Sequence, residues 1–202
     1  MTTPRTLLIV AMDSATSGPV ESGDLSLALA GAELIDLLDA QAIGLDDDRI
    51  VPGTEPAPAD RLLAEAADSL VRERPYESVG DWLWRRGKGL AVAYTAALEE
   101  DGLVTRPRSR SHPFRGGPPV VAESPARTEA MERWNSREPV LATLAESIGV
   151  RGEQGSDHPE VADDSVATVL AGVNDALVEL QAVRQRRNIE EAAFDNVWRG
   201  LE

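Results

Sequence analysis

The residues best suited to chemistry in this sequence are cations set among aromatics. Trp82, Trp84, Arg85, Arg86 and Lys88 stand close together, and Arg106, Arg108, Arg110 and Arg115 follow around His112 and Phe114. If the later segment folds back toward the start of the helix before it, these residues gather into one edge. Aromatics there could enter a lipid interface while the cations hold anionic headgroups, each cation near a membrane contributing about 1 kcal/mol. The plainer reading places the Trp pair in a core and the arginines against some of the thirty-five acidic side chains.

Other constellations point to less. Gly87-Lys88-Gly89 lacks the spaced leading Gly and the following Ser or Thr of a phosphate loop. Asp46-Asp47-Asp48 lacks the alternating ligands and distal Glu of a calcium loop, so it reads as a solvated turn. Asp157, His158 and Glu160 fall in a polar stretch, and His112 is the only other His, so no His pair has metal-ligand spacing. There is no Gly-x-Ser-x-Gly motif. Asp163-Asp164 and Asn174-Asp175 are the only candidates for magnesium-assisted ionisation of an isoprenoid diphosphate. The spacing fails, because Ala167, Val178 and Ala182 occupy the positions where further ligands would be needed. An N-cap at Asp164 and a solvated face account for these acids. No cofactor or metal is expected.

Charge bounds the partners. Twenty Lys and Arg against thirty-five Asp and Glu give a net charge of −15, which opposes whole-surface binding to nucleic acid or an anionic membrane. A winged-helix reading would present Asp46-Asp47-Asp48 to phosphate, the wrong charge, so no nucleic-acid partner is expected. Acids and cations are nevertheless segregated: residues 102–122 hold four Arg and no acid. Without Cys there is no disulfide or thiol chemistry, and the start lacks a secretory pattern, so a cytoplasmic protein is expected. The apolar run Leu7–Met12 is far shorter than the ~20 residues that span a bilayer, and no transmembrane segment is expected.

The elements that must position these residues are mostly helical. After a frayed Met1–Pro4, the run Leu7–Met12 is too short to separate strand from helix. Asp13–Gly18 reads as a turn. Leu27, Leu34 and Leu38 recur at helical spacing from an Asp24 N-cap to a Gly44 stop. Residues 42–51 read as a small hairpin with an acidic tip, and residues 52–59 as an extended linker. Leu62 to Val71 form a helix ended before Pro75; Ser78 or Asp81 caps a short segment with the Trp pair; Leu90 to Leu98 mark a longer helix ending near Gly102. Thr105–Pro125 is a loop or irregular hairpin with Val120–Ala122 as one strand. Met131 to Ile148 suggest helices interrupted at Pro139. Residues 151–160 read as a mobile connection, and Val166–Val183 as a core helix. The fold class is mainly α, with residues 1–183 as one helical domain and residues 184–202 as an amphipathic tail whose Phe194, Val197, Trp198 and Leu201 want a docking surface.

The order of these pieces resembles the Golgi phosphoprotein 3-like family, as a bacterial-type member. The resemblance rests on Leu7–Asp13, Leu29–Leu37, the acidic hairpin Leu45–Val51, Asp60–Ala66 and Glu99–Val104, with a weaker match through Leu141–Gly149 and the helix near Val166. It implies a central helical bundle wrapped by amphipathic helices with short β-hairpins. It also implies a non-enzymatic, peripheral membrane module, because eukaryotic members recognise phosphatidylinositol 4-phosphate. The positions matching that lipid site are Glu21, Ala30, Lys88 and Ala91, which keep one cation. A multiply charged headgroup needs convergent donors, so phosphoinositide affinity is expected to be weak. The expected partners are anionic lipid headgroups, or else a protein partner or a second copy, in a soluble helical interaction module without lipid binding.

Overall fold

The computed structural model describes residues 1–13, 20–56, 58–107, 117–151 and 161–199, the last of these by backbone alone beyond 191. Asp13 closes the first described segment, and most of the turn expected after it lies outside the described residues, as does nearly all of 151–160.

The apolar run that periodicity left open is helical. α1 (Thr3–Asp13) is apolar nearly all round, and Leu7, Leu8, Ile9 and Val10 are completely buried. A helix of that composition belongs inside a bundle, and α1 is packed by α2 (Ser22–Asp39), α5 (Leu90–Glu100), α6 (Pro125–Asn135) and α7 (Pro139–Ser147). The expected fraying of Met1–Pro4 does not occur. Thr3 and Pro4 are buried, the Thr3 N–H donates to Asp36 Oδ2 at 2.8 Å, and the terminal ammonium pairs with Glu129 at 2.8 Å.

α2 begins two residues before the expected Asp24 cap. Glu21 is the N-cap, with no side-chain capping bond, and Asp24 sits in the first turn. The helix also ends earlier than Gly44: Asp39 is its last residue, and Gln41 turns the chain with φ 55°. Gly44 lies instead in β1 (Ile43–Asp46), which pairs antiparallel with β2 (Arg49–Pro52) in the register Asp46 to Arg49. The expected hairpin is present, with Asp47 left-handed at its tip (φ 54°).

α3 (Arg61–Asp68) is capped by the Asp60 carboxylate, which accepts from the Leu62 and Leu63 N–H groups. Between the two expected caps, Ser78 starts α4 (Val79–Arg86) by accepting from the Asp81 N–H. Gly87-Lys88-Gly89 separates α4 from α5, with Gly89 at φ 73°. β3 (Val104–Thr105) and β4 (Val120–Val121) pair antiparallel. α6 and α7 are the two helices divided at Pro139.

α8 (Asp164–Arg199) runs without a break through residue 183. Its start is bound by the preceding residue, the Asp163 carboxylate accepting from the Val166 N–H at 3.0 Å, where Asp164 was expected to cap. The stretch Asp164–Glu191 is long and apolar enough to cross a membrane by length and composition alone, a test that the core helix of a soluble protein also passes. In this fold its Val169, Val173, Ala176 and Leu177 are buried. Two glycines set the close approaches. A Cβ on Gly31 would lie 2.3 Å from Val173 Cγ2, and one on Gly172 2.9 Å from Val79 Cγ1, so α8 lies directly on α2 and α4. Gly31 meets Val173 while Gly23 meets Arg184, so α2 and α8 run antiparallel.

Candidate functional site

The sequence places ten candidate site residues on or just after α4 and beyond α5, and the structure divides those it describes. Trp82 is wholly buried, and its indole N–H donates to the Ala30 carbonyl at 3.3 Å. It is a core residue and leaves the expected edge. Trp84, two positions on, is half-buried and faces α8. The Arg85 guanidinium lies 5.0 Å over the Trp82 ring and grips Glu77 through Nε and Nη2, both at 2.7 Å.

Arg86 turns inward. Its Nε and Nη2 reach the two oxygens of Glu33, each at 2.8 Å, and Nη2 also donates to the Leu62 carbonyl at 3.1 Å. The Tyr94 hydroxyl donates to Glu33 Oε1 at 3.0 Å. Glu33 is completely buried, so this cluster ties α2, α3, α4 and α5 together inside the bundle. Burial pushes the Glu33 carboxyl above its ordinary range, against the pull of Arg86 and Tyr94. Burial, then the Glu33 charge, pushes the Tyr94 phenol up. A guanidinium held on two carboxylate oxygens and a carbonyl has little left for an external anion. Arg106 is likewise committed, to Glu99 at 2.6 Å. Arg108, Arg110, His112, Phe114 and Arg115 lie outside the described residues.

Among the described cations of the expected set, one stays open. Lys88 is exposed at the α4–α5 junction and makes no hydrogen bond or ion pair with a described residue. Its neighbourhood is the start of α2: the Ala91 N–H donates to Ser26 Oγ at 3.1 Å, and Gly87 packs near Leu27 and the Ser26 carbonyl. Glu21, Lys88 and Ala91 therefore stand near the start of α2. Ala91 is buried there, and Ala30 is buried farther along α2 against Trp82; neither offers charge.

The same end carries cations that sequence reasoning did not select. Arg184 of α8 lies across the first turn of α2, with Nη1 on Asp24 at 2.8 and 3.0 Å. Gly23 admits it, since a Cβ there would be 2.7 Å from Arg184 Nη2. Because α8 runs antiparallel to α2, the next turn projects past the start of α2, and it carries Arg186 and Arg187, both exposed. The signal was visible as Arg184-x-Arg186-Arg187 but stood some 160 residues from its neighbours. The positive end of the α2 dipole adds to this field, while Glu21 opposes it. Arg184 is one helical turn along α2 from the Ser26 contact of the Lys88 loop.

The remaining candidates do not converge. The Asp163 carboxylate is used at the α8 start, and Asp175 is exposed three turns on. Among the described residues no group of three or more His, Asp or Glu is placed to hold a metal ion.

A model of the Golgi phosphoprotein 3 (GPP34) family matches residues 4–195, nearly the whole chain. No curated protein matches the chain.

Proposed function

Because the chain belongs to the Golgi phosphoprotein 3 (GPP34) family, we propose that it is a non-enzymatic module that docks peripherally on an anionic membrane surface from the cytoplasm. The edge that docks is the one where Lys88, Arg184, Arg186 and Arg187 surround the start of α2. The observation that carries this reading is Lys88, which has no hydrogen bond or ion pair with a described residue, beside the α2 start and on the same end as the exposed Arg186 and Arg187. Arg106, Arg108, Arg110 and Arg115 are the sequence's second run of positive charge; Arg106 pairs with Glu99, and the other three lie outside the described residues. With Ala30 and Ala91 buried at matching positions, phosphatidylinositol 4-phosphate is bound as one anionic lipid among several, without a dedicated headgroup pocket.

Co-sedimentation with vesicles tests it. Binding is expected to phosphatidylserine-containing vesicles at low salt, to fall steeply as salt rises, and to be absent from phosphatidylcholine alone. Lys88→Ala with Arg187→Ala is expected to weaken binding by about fivefold per cation, from ~1 kcal/mol each. Reversing Arg106, Arg108 and Arg110 measures what that second run adds.

A second reading is favoured by the commitment of Arg85, Arg86 and Arg106 to Glu77, Glu33 and Glu99: a soluble helical protein-interaction module that never meets lipid. No sedimentation with anionic vesicles at low salt would sink the membrane reading and leave this one.

A further inference from the structure

On the flank of the α4–α8 crossing at Gly172, the two helices leave a cleft of about 450 Å³. Trp84 and Gly80 line it from α4, and Gly172, Asp175 and Glu179 line it from α8. Asp48 of the hairpin tip stands at the α4 start, where its carbonyl accepts from the Val79 N–H at 2.9 Å. Every charged side chain lining the cleft is a carboxylate. Asp175 and Glu179 are exposed and have no hydrogen bond or ion pair with a described residue, while Asp48 meets Arg49 at 3.3 Å. No Lys, Arg or His lines the cleft.

We propose that this cleft binds a guanidinium or ammonium side chain presented by a cationic segment of a partner protein. Trp84 is held half-buried at the wall of the cleft, and an indole face is the strongest aromatic partner for a cation. Asp175 and Glu179 lie one turn apart on a single face of α8, so one guanidinium can reach both carboxylates. Gly80 and Gly172 present backbone without side chains, which lets a flat group approach closely. Walls of one charge sign focus the field within a cleft, and Asp48 of the hairpin tip is part of this one. An anionic headgroup is repelled from the same place. The site is thus separate from the basic edge at the α2 start and does not depend on lipid binding.

The test uses the full ¹⁵N-labelled chain titrated with a blocked tri-arginine peptide, with a blocked tri-glutamate peptide as control. A saturable shift of the Trp84 indole N–H and of the Gly80 and Gly172 amides is expected with the first and not the second. Asp175→Asn with Glu179→Gln, both at exposed positions with no described partner, is expected to weaken the affinity roughly tenfold, and Trp84→Phe to weaken it less, since an aromatic ring remains. Failure to saturate, shifts spread over the whole acidic surface, or an affinity unchanged in the carboxylate variant would each overturn the proposal. So would reproduction of the same shifts by magnesium chloride at equal ionic strength, which would mark screening in place of binding. Vesicle binding by Lys88 and Arg187 is read separately and is unaffected by either outcome.

Discussion

Arg86 and Lys88 are two positions apart in the chain and do opposite things. Arg86 reaches into the bundle and neutralises a fully buried Glu33, whereas Lys88 projects from the α4–α5 junction with no described partner. The interior pair is bidentate, joined by Tyr94 and the Leu62 carbonyl, and fixes four helices relative to one another. The outer cation, with Arg186 and Arg187, is free to meet an anion. Burial, and with it the cost of leaving a charge unpaired, separates a structural cation from one that can bind.

The largest effect expected from that contrast is on stability. Arg86→Ala leaves Glu33 buried and is expected to cost about 3–5 kcal/mol, a fall of roughly 10 °C in Tm by calorimetry. A loss under 1 kcal/mol would mean that the interior pair is no more structural than the edge. Replacing both partners, Glu33→Leu with Arg86→Met, is expected to recover much of that loss, since the desolvation cost goes with both charges. A double variant as unstable as Arg86→Ala would show that shape, and not charge, is at issue.

A smaller effect follows pH. Burial raises the Glu33 and Asp36 carboxyls, Asp36 against the bond it accepts from the Thr3 N–H. A carboxyl with a raised folded pKa contributes stability that is complete below its unfolded pKa and is lost as pH rises through the folded value. The Tm of the native chain is therefore expected to rise as pH falls from neutrality toward the ordinary carboxyl range, and Asp36→Asn to flatten part of that slope. The deficit of Arg86→Ala is expected to shrink in the same direction, as the deserted Glu33 takes up a proton. An identical pH dependence in the native chain and both variants would remove this account.

The smallest stability effects belong to the edge. Arg184→Ala breaks a partly exposed pair with Asp24 and is expected to cost about 1 kcal/mol or less. Lys88→Ala with Arg187→Ala is expected to change stability by less than about 0.5 kcal/mol while it weakens vesicle binding. If urea unfolding shows these two variants to be as damaging as Arg86→Ala, the two regions are not distinct.

Much of this architecture was legible in advance. Leu62, Leu63 and Ala66 recur at helical spacing, Ser78 stands where a cap is needed, and apolar arms flank Asp46–Asp48, so local chemistry alone places α3, α4 and the first hairpin. Leu7–Met12 was not legible, because six apolar residues satisfy a buried strand and a buried helix equally. The candidate site was legible only as residue types. Trp82 and Arg86 have the right chemistry for a lipid edge, but Ala30 and Glu33, more than fifty residues earlier, draw them inward.

The sequence by itself determined the helical class, the family-like order of elements, the −15 charge and the presence of four Arg and no acid in residues 102–122. These are properties of composition and local spacing, which need no folded chain to be read. Only the tertiary structure decided which cations remain available. Gly31 and Gly23 let α8 lie antiparallel along α2, and that one contact carries Arg184, Arg186 and Arg187 to the α2 start while α4 turns Arg86 toward Glu33. Charge acts through space and burial, and both are set by contacts between residues that the sequence holds far apart.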